Sequence, residues 1–304
     1  MKKLTEILAQ AQDPLISCEF FPPKTDKGEA NLWQCLQELA AIHPAYVSVT
    51  YGAGGTTQDR TRRIVTRIRQ ETALTPVAHL TCVGATREDL SALLEQYRQA
   101  DITNILALRG DPPEGMGHFE VVKGGFAYAS DLVRFIGEQQ GDFSIAVATY
   151  PEGHPESPEG VADDIRFLKV KQDNGACAAI TQYFFDNEAF YRFRDRAVSA
   201  GVSIPIIPGI MPVTNYTQIV RFSAMCGAII PDWLHTRMQP IVDDAEATKQ
   251  AGIDIAAEQC ADLLAHGAPG LHFYTLNKSE ATIAVCRRLG IPKGTPKGTP
   301  KGTI

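Results

Sequence analysis

An apolar run, a break of Gly, Pro or polar residues, and a stretch of helical period recur eight times along this chain. The strand candidates are Leu15 to Phe20, Tyr46 to Thr50, Pro76 to Leu80, Asn104 to Leu108, Ser144 to Thr149, Ala178 to Gln182, Ile204 to Pro208 and Leu271 to Thr275. Asn104 to Leu108 among them shows no polar alternation, as a parallel strand covered on both faces does. Parallel neighbours each need a crossover, and helical periodicity fills the intervals at Asn31 to Ala41, Gln58 to Gln70, Arg87 to Gln99, Ser130 to Glu138, Ala162 to Lys171, Glu188 to Ser199 and Thr217 to Met225, with Glu280 to Leu289 after the last strand. Eight such units predict an α/β fold of the (β/α)8 TIM-barrel type. Leu4, Ile7, Leu8 and Ala11 add a short N-terminal helix, and Asp244 to Leu264 an extra helix between strands seven and eight, stopped by Gly267. A doubly wound sheet is the competing architecture. It would bring a Gly-rich dinucleotide turn, and the nearest stretch, Gly52 to Thr57, has Thr57 where the third glycine belongs.

The repeat predicts one catalytic domain over residues 1–290. Residues 291–304 form a tail whose PKGT repeats, Pro292 to Thr303, have nothing apolar to bury, which predicts disorder. A net charge of -6 offers no basic excess for nucleic acid. The seven cysteines are scattered and contain no CxxC pair, which argues against a disulfide frame or structural zinc and suits a reducing cytoplasm. Glu6, Gln10 and Gln12 interrupt any signal-peptide core, and no later run approaches a membrane span.

In a barrel of this kind chemistry collects beyond the carboxyl ends of the strands. Strand one ends in Cys18, Glu19, Phe20 and Phe21, a carboxylate among apolar neighbours. Partial burial there is expected to raise the Glu19 pKa and keep it protonated as a proton donor; a salt-bridged glutamate is the alternative. Strand two ends in Thr50 and Tyr51, strand three in His79, and strand four in Arg109, Gly110 and Asp111, all able to hydrogen-bond or approach a flat heterocycle. Strand five runs into Tyr150, Glu152, His154 and Glu156, a cluster that could serve a metal-dependent lyase or hydrolase. Strand six ends in Gln182 beside Tyr183, Phe184 and Phe185, an amide and rings suited to a planar ligand. Asp163 and Lys171 lie near one face of a predicted helix about two turns apart, a spacing that suits either solvated charge or a long dinucleotide.

Taken together, SCEFFPPK, YVSVTYGAGG, AHLTC, ILALRGDPP, YASDLV, YPEGHPE, AITQYFFD, IIPGIMPV and HFYTLN, in this order over about residues 15 to 290, resemble the methylenetetrahydrofolate reductases in their bacterial single-domain form. The resemblance implies a barrel that binds FAD without a dinucleotide fingerprint. It also implies a ping-pong reaction in which NADH or NADPH reduces the flavin and 5,10-methylenetetrahydrofolate then takes the hydride, together with homo-oligomerisation. By match of position, Glu19 is implied to be the general acid and Asp111 a carboxylate near both pterin and flavin. Flavin contacts fall on Tyr51, His79, Arg109, Gly110, Asp111, Ala129, Tyr150, His154, Asp163 and Lys171. Thr50 falls at a nicotinamide contact and Gln182 at an amide used by both substrates, while Gln218, Phe222 and Lys278 face the folate. The chain departs from enterobacterial relatives at Arg166 and Ser157, toward the adenosine end of the flavin. A flavin-binding barrel without catalysis is a further alternative, which the presence of Glu19 opposes.

Overall fold

The computed structural model of the chain describes residues 1–51, 58–111 and 120–292. Eight strands follow one another around a closed barrel: β1 (Leu15–Phe20), β2 (Tyr46–Val49), β3 (Pro76–Thr81), β4 (Asn104–Leu108), β5 (Ser144–Thr149), β6 (Ala178–Tyr183), β7 (Ile206–Ile210) and β8 (Gly270–Tyr274). Every neighbouring pair is parallel, and β8 returns to pair with β1. Closure excludes the doubly wound sheet. The crossovers are α2 (Asp26–Leu39), α3 (Gln58–Glu71), α4 (Arg87–Gln99), α5 (Ala129–Glu138), α6 (Val161–Asp173) and α7 (Asn187–Ser199). Ahead of β1 lies α1 (Leu4–Gln10), between β7 and β8 lie α8 (Tyr216–Cys226), α9 (Asp232–Met238) and α10 (Ala245–Ala265), and α11 (Glu280–Leu289) follows β8.

Strand periodicity sorts the side chains. On β1, Ile16, Cys18 and Phe20 join the large core under the helices, while Ser17 and Glu19 meet polar partners from neighbouring strands. A separate cluster of Tyr46, Val77, Leu106, Ala146, Ala178 and Ile180 includes Leu4 of α1. The α1 backbone is tied to the start of β4: Leu4 N–H donates to Asn104 Oδ1 at 2.8 Å and Asn104 Nδ2 donates to the Lys2 carbonyl at 3.0 Å. The amino-terminal end of the barrel is thereby plugged.

Two boundaries and one element depart from the sequence expectation for identifiable reasons. α2 begins at Asp26 rather than Asn31, because Thr25 caps it by accepting from Gly28 N–H. β7 begins two residues later than expected, because Ser203 and Ile204 donate their N–H groups to Gln172 Oε1 on α6 instead of to a ladder. α9 was not anticipated; its seven residues are too few to establish a helical period. The Gly52 to Thr57 stretch, the loop after Asp111 and the tail from residue 293 lie outside the described residues.

Candidate active site

Register sets Glu19 among its partners. On β1, Ser17 pairs with Tyr46 on one side and His272 on the other, and Glu19 with Ser48 and Tyr274. Three contacts converge on Glu19 Oε2: His272 Nε2 at 3.3 Å, His79 Nε2 at 3.3 Å and Ser48 Oγ, which donates at 3.4 Å. His272 is aligned as a hydrogen bond, whereas His79 stands at ion-pair distance without hydrogen-bond alignment. The two imidazoles are 0% and 4% exposed and Glu19 is 15% exposed, so the carboxyl is the part of the cluster that reaches the open end. The backbone at this point is held by Thr275, whose hydroxyl donates to the Glu19 carbonyl at 2.6 Å, and by reciprocal bonds between Asn277 and Phe21.

The expected rise in the Glu19 pKa is overturned here. Burial does push the carboxyl up, but the charge of His79 and the hydrogen bond and charge of His272 outweigh it and hold Glu19 at about 2. The flanking residues Cys18 and Phe20 look apolar in sequence because they face the helices. The face that Glu19 occupies is polar.

A second group forms beyond β4, β5 and the start of α6. Arg109 is ion-paired to Glu156 at 2.5 Å. Glu156 N–H donates to His154 Nδ1 at 3.1 Å, and His154 N–H donates to Asp164 at 2.7 Å. Lys171 on α6 is drawn into the barrel wall, where it donates to the Ala148 carbonyl at 2.8 Å; burial lowers its pKa to about 8, against the opposing charge of Asp164. Tyr150 stacks edge-on against His154 at 4.6 Å between ring centres, and Asp111 lies within electrostatic reach of both. Gly110 has a φ of +86°, and a Cβ there would meet Val83 Cγ1 at 2.7 Å, so only glycine fits this turn. Ala129 is buried in the first turn of α5, whose N-terminus no side chain caps.

The geometry separates two aspartates that sequence spacing had merged. Asp163 accepts from Glu159 N–H at 3.0 Å and from Arg166 at 2.6 Å, an arrangement that locks the first turn of α6. Asp164, which the sequence reading did not select, is the carboxylate beside His154 and Lys171. Its separation of seven residues from Lys171, nearly two whole helical turns, was the available signal.

The remaining candidates occupy the same rim. Thr50 follows β2, and its carbonyl accepts from Thr61 at 2.8 Å. Tyr51 is half-buried against the helical core, near the carboxylates of Asp59 and Asp89. Gln182 turns its carbonyl oxygen to Tyr183 N–H at 2.9 Å. Gln218 and Phe222 lie on α8, exposed and half-buried, and exposed Lys278 lines a cavity of about 360 Å³ between the loops after β7 and β8. Glu152, His154 and Glu156 do not gather: Glu152 accepts from Ile229 N–H at 2.9 Å while the other two turn to Asp164 and Arg109. Among the described residues no group of three or more His, Cys, Asp or Glu is placed to hold a metal, and no helix is long and apolar enough to cross a membrane.

Residues 3–290 match the methylenetetrahydrofolate reductase family. The chain belongs to that family. It is 43% identical over 292 residues to the 5,10-methylenetetrahydrofolate reductase of Salmonella typhimurium and 44% identical over 292 residues to that of Escherichia coli, covering 96% of each chain in both cases. A plant relative, methylenetetrahydrofolate reductase (NADH) 1 of Arabidopsis thaliana, is 41% identical and matches 95% of this chain with 50% of its own length. A solved structure of a Clostridium thermocellum protein, which binds two copies of 5-methyl-5,6,7,8-tetrahydrofolic acid, superposes with a TM-score of 0.61 at 15% identity, covering 93% of this chain and 97% of its own, and supports the fold. Members of the family are oxidoreductases, and the bacterial relatives are matched over nearly their whole length.

Proposed function

We propose that this chain reduces 5,10-methylenetetrahydrofolate to 5-methyltetrahydrofolate, taking hydride from NADH or NADPH by way of bound FAD, with the two substrates using one site in turn. Support comes from family membership and, above all, from Glu19, an ionised carboxylate clamped by His79 and His272 at the open end of the barrel. A methylene bridge between two nitrogens accepts hydride only after one carbon–nitrogen bond opens, and opening needs a proton on the departing nitrogen. Glu19 with its imidazoles is a proton-bearing cluster that can supply one.

The residues present fit FAD. Arg109 and Lys171 are cations suited to a diphosphate, Asp164 is a buried acceptor suited to hydroxyl groups, and the uncapped start of α5 at Ala129 offers N–H groups to an anion. Among the described residues, His79 Nε2, Thr81 Oγ1 and Thr149 Oγ1 are buried without a hydrogen-bond partner, on the strands either side of β4. FAD, when bound, would supply a two-electron carrier between the substrates. On this reading Tyr51, His79, Arg109, Gly110, Tyr150 and His154 line its site together with Asp164 and Lys171. Thr50 and Gln182 orient the nicotinamide, Gln182, Gln218 and Phe222 the pterin, and Lys278 the acidic end of the folate. Asp111 stabilises the cation that develops as the bridge opens.

Purified protein examined anaerobically tests the proposal. Its visible absorption should bleach with NADH or NADPH and return with methylenetetrahydrofolate. Glu19→Gln should bleach normally yet regain colour about a hundred- to ten-thousand-fold more slowly, because hydride transfer from nicotinamide needs no proton from this cluster. Recovery at the wild-type rate would assign the proton to another group.

A further inference from the structure

α8 is joined to the barrel through a small apolar cluster of its own, which includes Tyr183, Phe185, Met211, Val213, Tyr216 and Ile219 and is separate from the large core under the crossover helices. Its inward face reads Tyr216, Ile219 and Ser223, spacings of three and four that lie on one side of a helix. Ser223, 2% exposed, adds little apolar surface there, and alanine would favour the helix and leave no hydroxyl to satisfy. That hydroxyl is satisfied by Tyr183 at the end of β6, itself 4% exposed, whose phenolic oxygen stands 3.0 Å away. The Cys226 thiol donates to the same oxygen at 3.4 Å. Among the described residues, every side-chain hydrogen bond from α8 to a barrel strand ends on the Tyr183 hydroxyl.

Tyr183 reaches the rim of the site as well. The β6–β7 ladder is irregular between Ile180 and Tyr183, a break of the kind that re-aims the side chains within it. Gln182 lies in that break, and its side-chain carbonyl accepts from Tyr183 N–H at 2.9 Å. One residue thus holds Gln182 with its backbone and α8 with its hydroxyl. Gln218 and Phe222, four residues apart, share the face of α8 beside the buried one, each directly preceding an inward residue, Ile219 or Ser223. Apolar contacts keep α8 against the barrel but, being non-directional, do little to fix its rotation, whereas a hydrogen bond is directional. A turn of about 10° would carry a ring held about 6 Å from the helix axis about 1 Å sideways.

We propose that Tyr183 and Ser223 are a positioning pair for the pterin: their hydrogen bond fixes the rotation of α8 and so brings Gln218 and Phe222 into register with Gln182. The inference rests on the reading that Gln182, Gln218 and Phe222 orient the pterin. The other ties of α8 lie at its ends. Asn215 caps the first turn by accepting from Gln218 N–H at 2.9 Å, and the Tyr216 hydroxyl meets His235 Nδ1 of α9 at 2.9 Å. Gly227 closes the helix with a φ of +78°, where a Cβ would meet Pro155 Cγ at 2.6 Å. Only the bond at Ser223 refers the middle of the helix, where Phe222 sits, to the strand that carries Gln182.

Two variants that each remove one hydroxyl test this, and both should fold, since Tyr183→Phe keeps the ring and Ser223→Ala suits a helix. In the flavin-loaded enzyme each should weaken binding of 5-methyltetrahydrofolate, followed by calorimetry, about tenfold, on the scale of one lost buried hydrogen bond. KM for methylenetetrahydrofolate should rise to a similar degree with kcat within about twofold of wild type. The double variant should bind no more weakly than either single one, because the two hydroxyls act as a unit. In a Phe222→Ala background, Ser223→Ala should change folate affinity by less than about twofold, since the ring it positions is gone. A hydroxyl pair that served stability alone would lower the melting temperature and leave folate affinity as in the wild type. That result, or an effect of Ser223→Ala that persists in full without the Phe222 ring, overturns the proposal. Phe222→Ala binding folate as tightly as wild type would instead remove the reading of α8 as a pterin-facing helix, whatever the two hydroxyls do.

Discussion

Asp163 and Asp164 are adjacent in sequence and both buried, yet they hold different things. Asp163 fixes Glu159 N–H and Arg166, and Asp164 fixes His154 and faces Lys171. Asp164→Asn should therefore weaken flavin retention by about tenfold, on the scale of one charged hydrogen bond. Asp163→Asn should lower thermal stability and leave retention within twofold of wild type. Flavin release followed by fluorescence separates them, and the reverse ranking would return the flavin contact to Asp163. Lys171 adds a pH dependence of definite sign. Its amine is lowered to about 8, so it is charged below that pH and neutral above it. An anionic diphosphate needs the charged form, so affinity should be flat below pH 8 and fall by up to about tenfold per pH unit above it. A titration that rises with pH would exclude Lys171 as the anion's partner. At this scale the sequence showed where Glu19 sits but not its charge, since the imidazoles that set that charge come from β3 and β8, 60 and 253 residues away. Only strand register brings them onto one oxygen.

Elements were more legible than their ends. β4, β5, α4 and α11 lie where periodicity placed them, because each is bounded by residues that act locally: Thr86 caps α4 through Asp89 N–H, and Gly290 closes α11 with a φ of +71°. β7 was misjudged because Gln172 on a neighbouring helix takes the N–H groups of Ser203 and Ile204, and α2 because its cap, Thr25, lies well before the stretch of clear helical period. α10 supplies a case in which packing overrides propensity. Gly252 lies inside this 21-residue helix, where alanine would ordinarily gain about 1 kcal/mol. A Cβ there would stand 1.9 Å from the Val213 carbonyl oxygen beyond β7, and backbone cannot yield as a side-chain tip does. Gly252→Ala should accordingly destabilise by about 2 kcal/mol net, as overpacking does. Chemical denaturation measures it, and a variant as stable as wild type would mean that α10 can slide away from β7.

At the scale of the molecule, the eightfold alternation was sufficient for the barrel, because parallel strands joined by helices and lacking a dinucleotide turn have few other closed solutions. The interior was less legible: Tyr46, Ser48 and His272 read as strand residues, and His79 as a flavin contact, until closure turns them toward one another. The N-terminal plug has a consequence for traffic. Leu4, held to Asn104, shuts the amino-terminal end of the barrel, so among the described residues the space above Glu19 is a blind alley toward that end. On the proposed function, a spent nicotinamide could not be pushed out through the floor by an arriving pterin, each visitor would have to leave by the door it used, and a surplus of either one would obstruct the other.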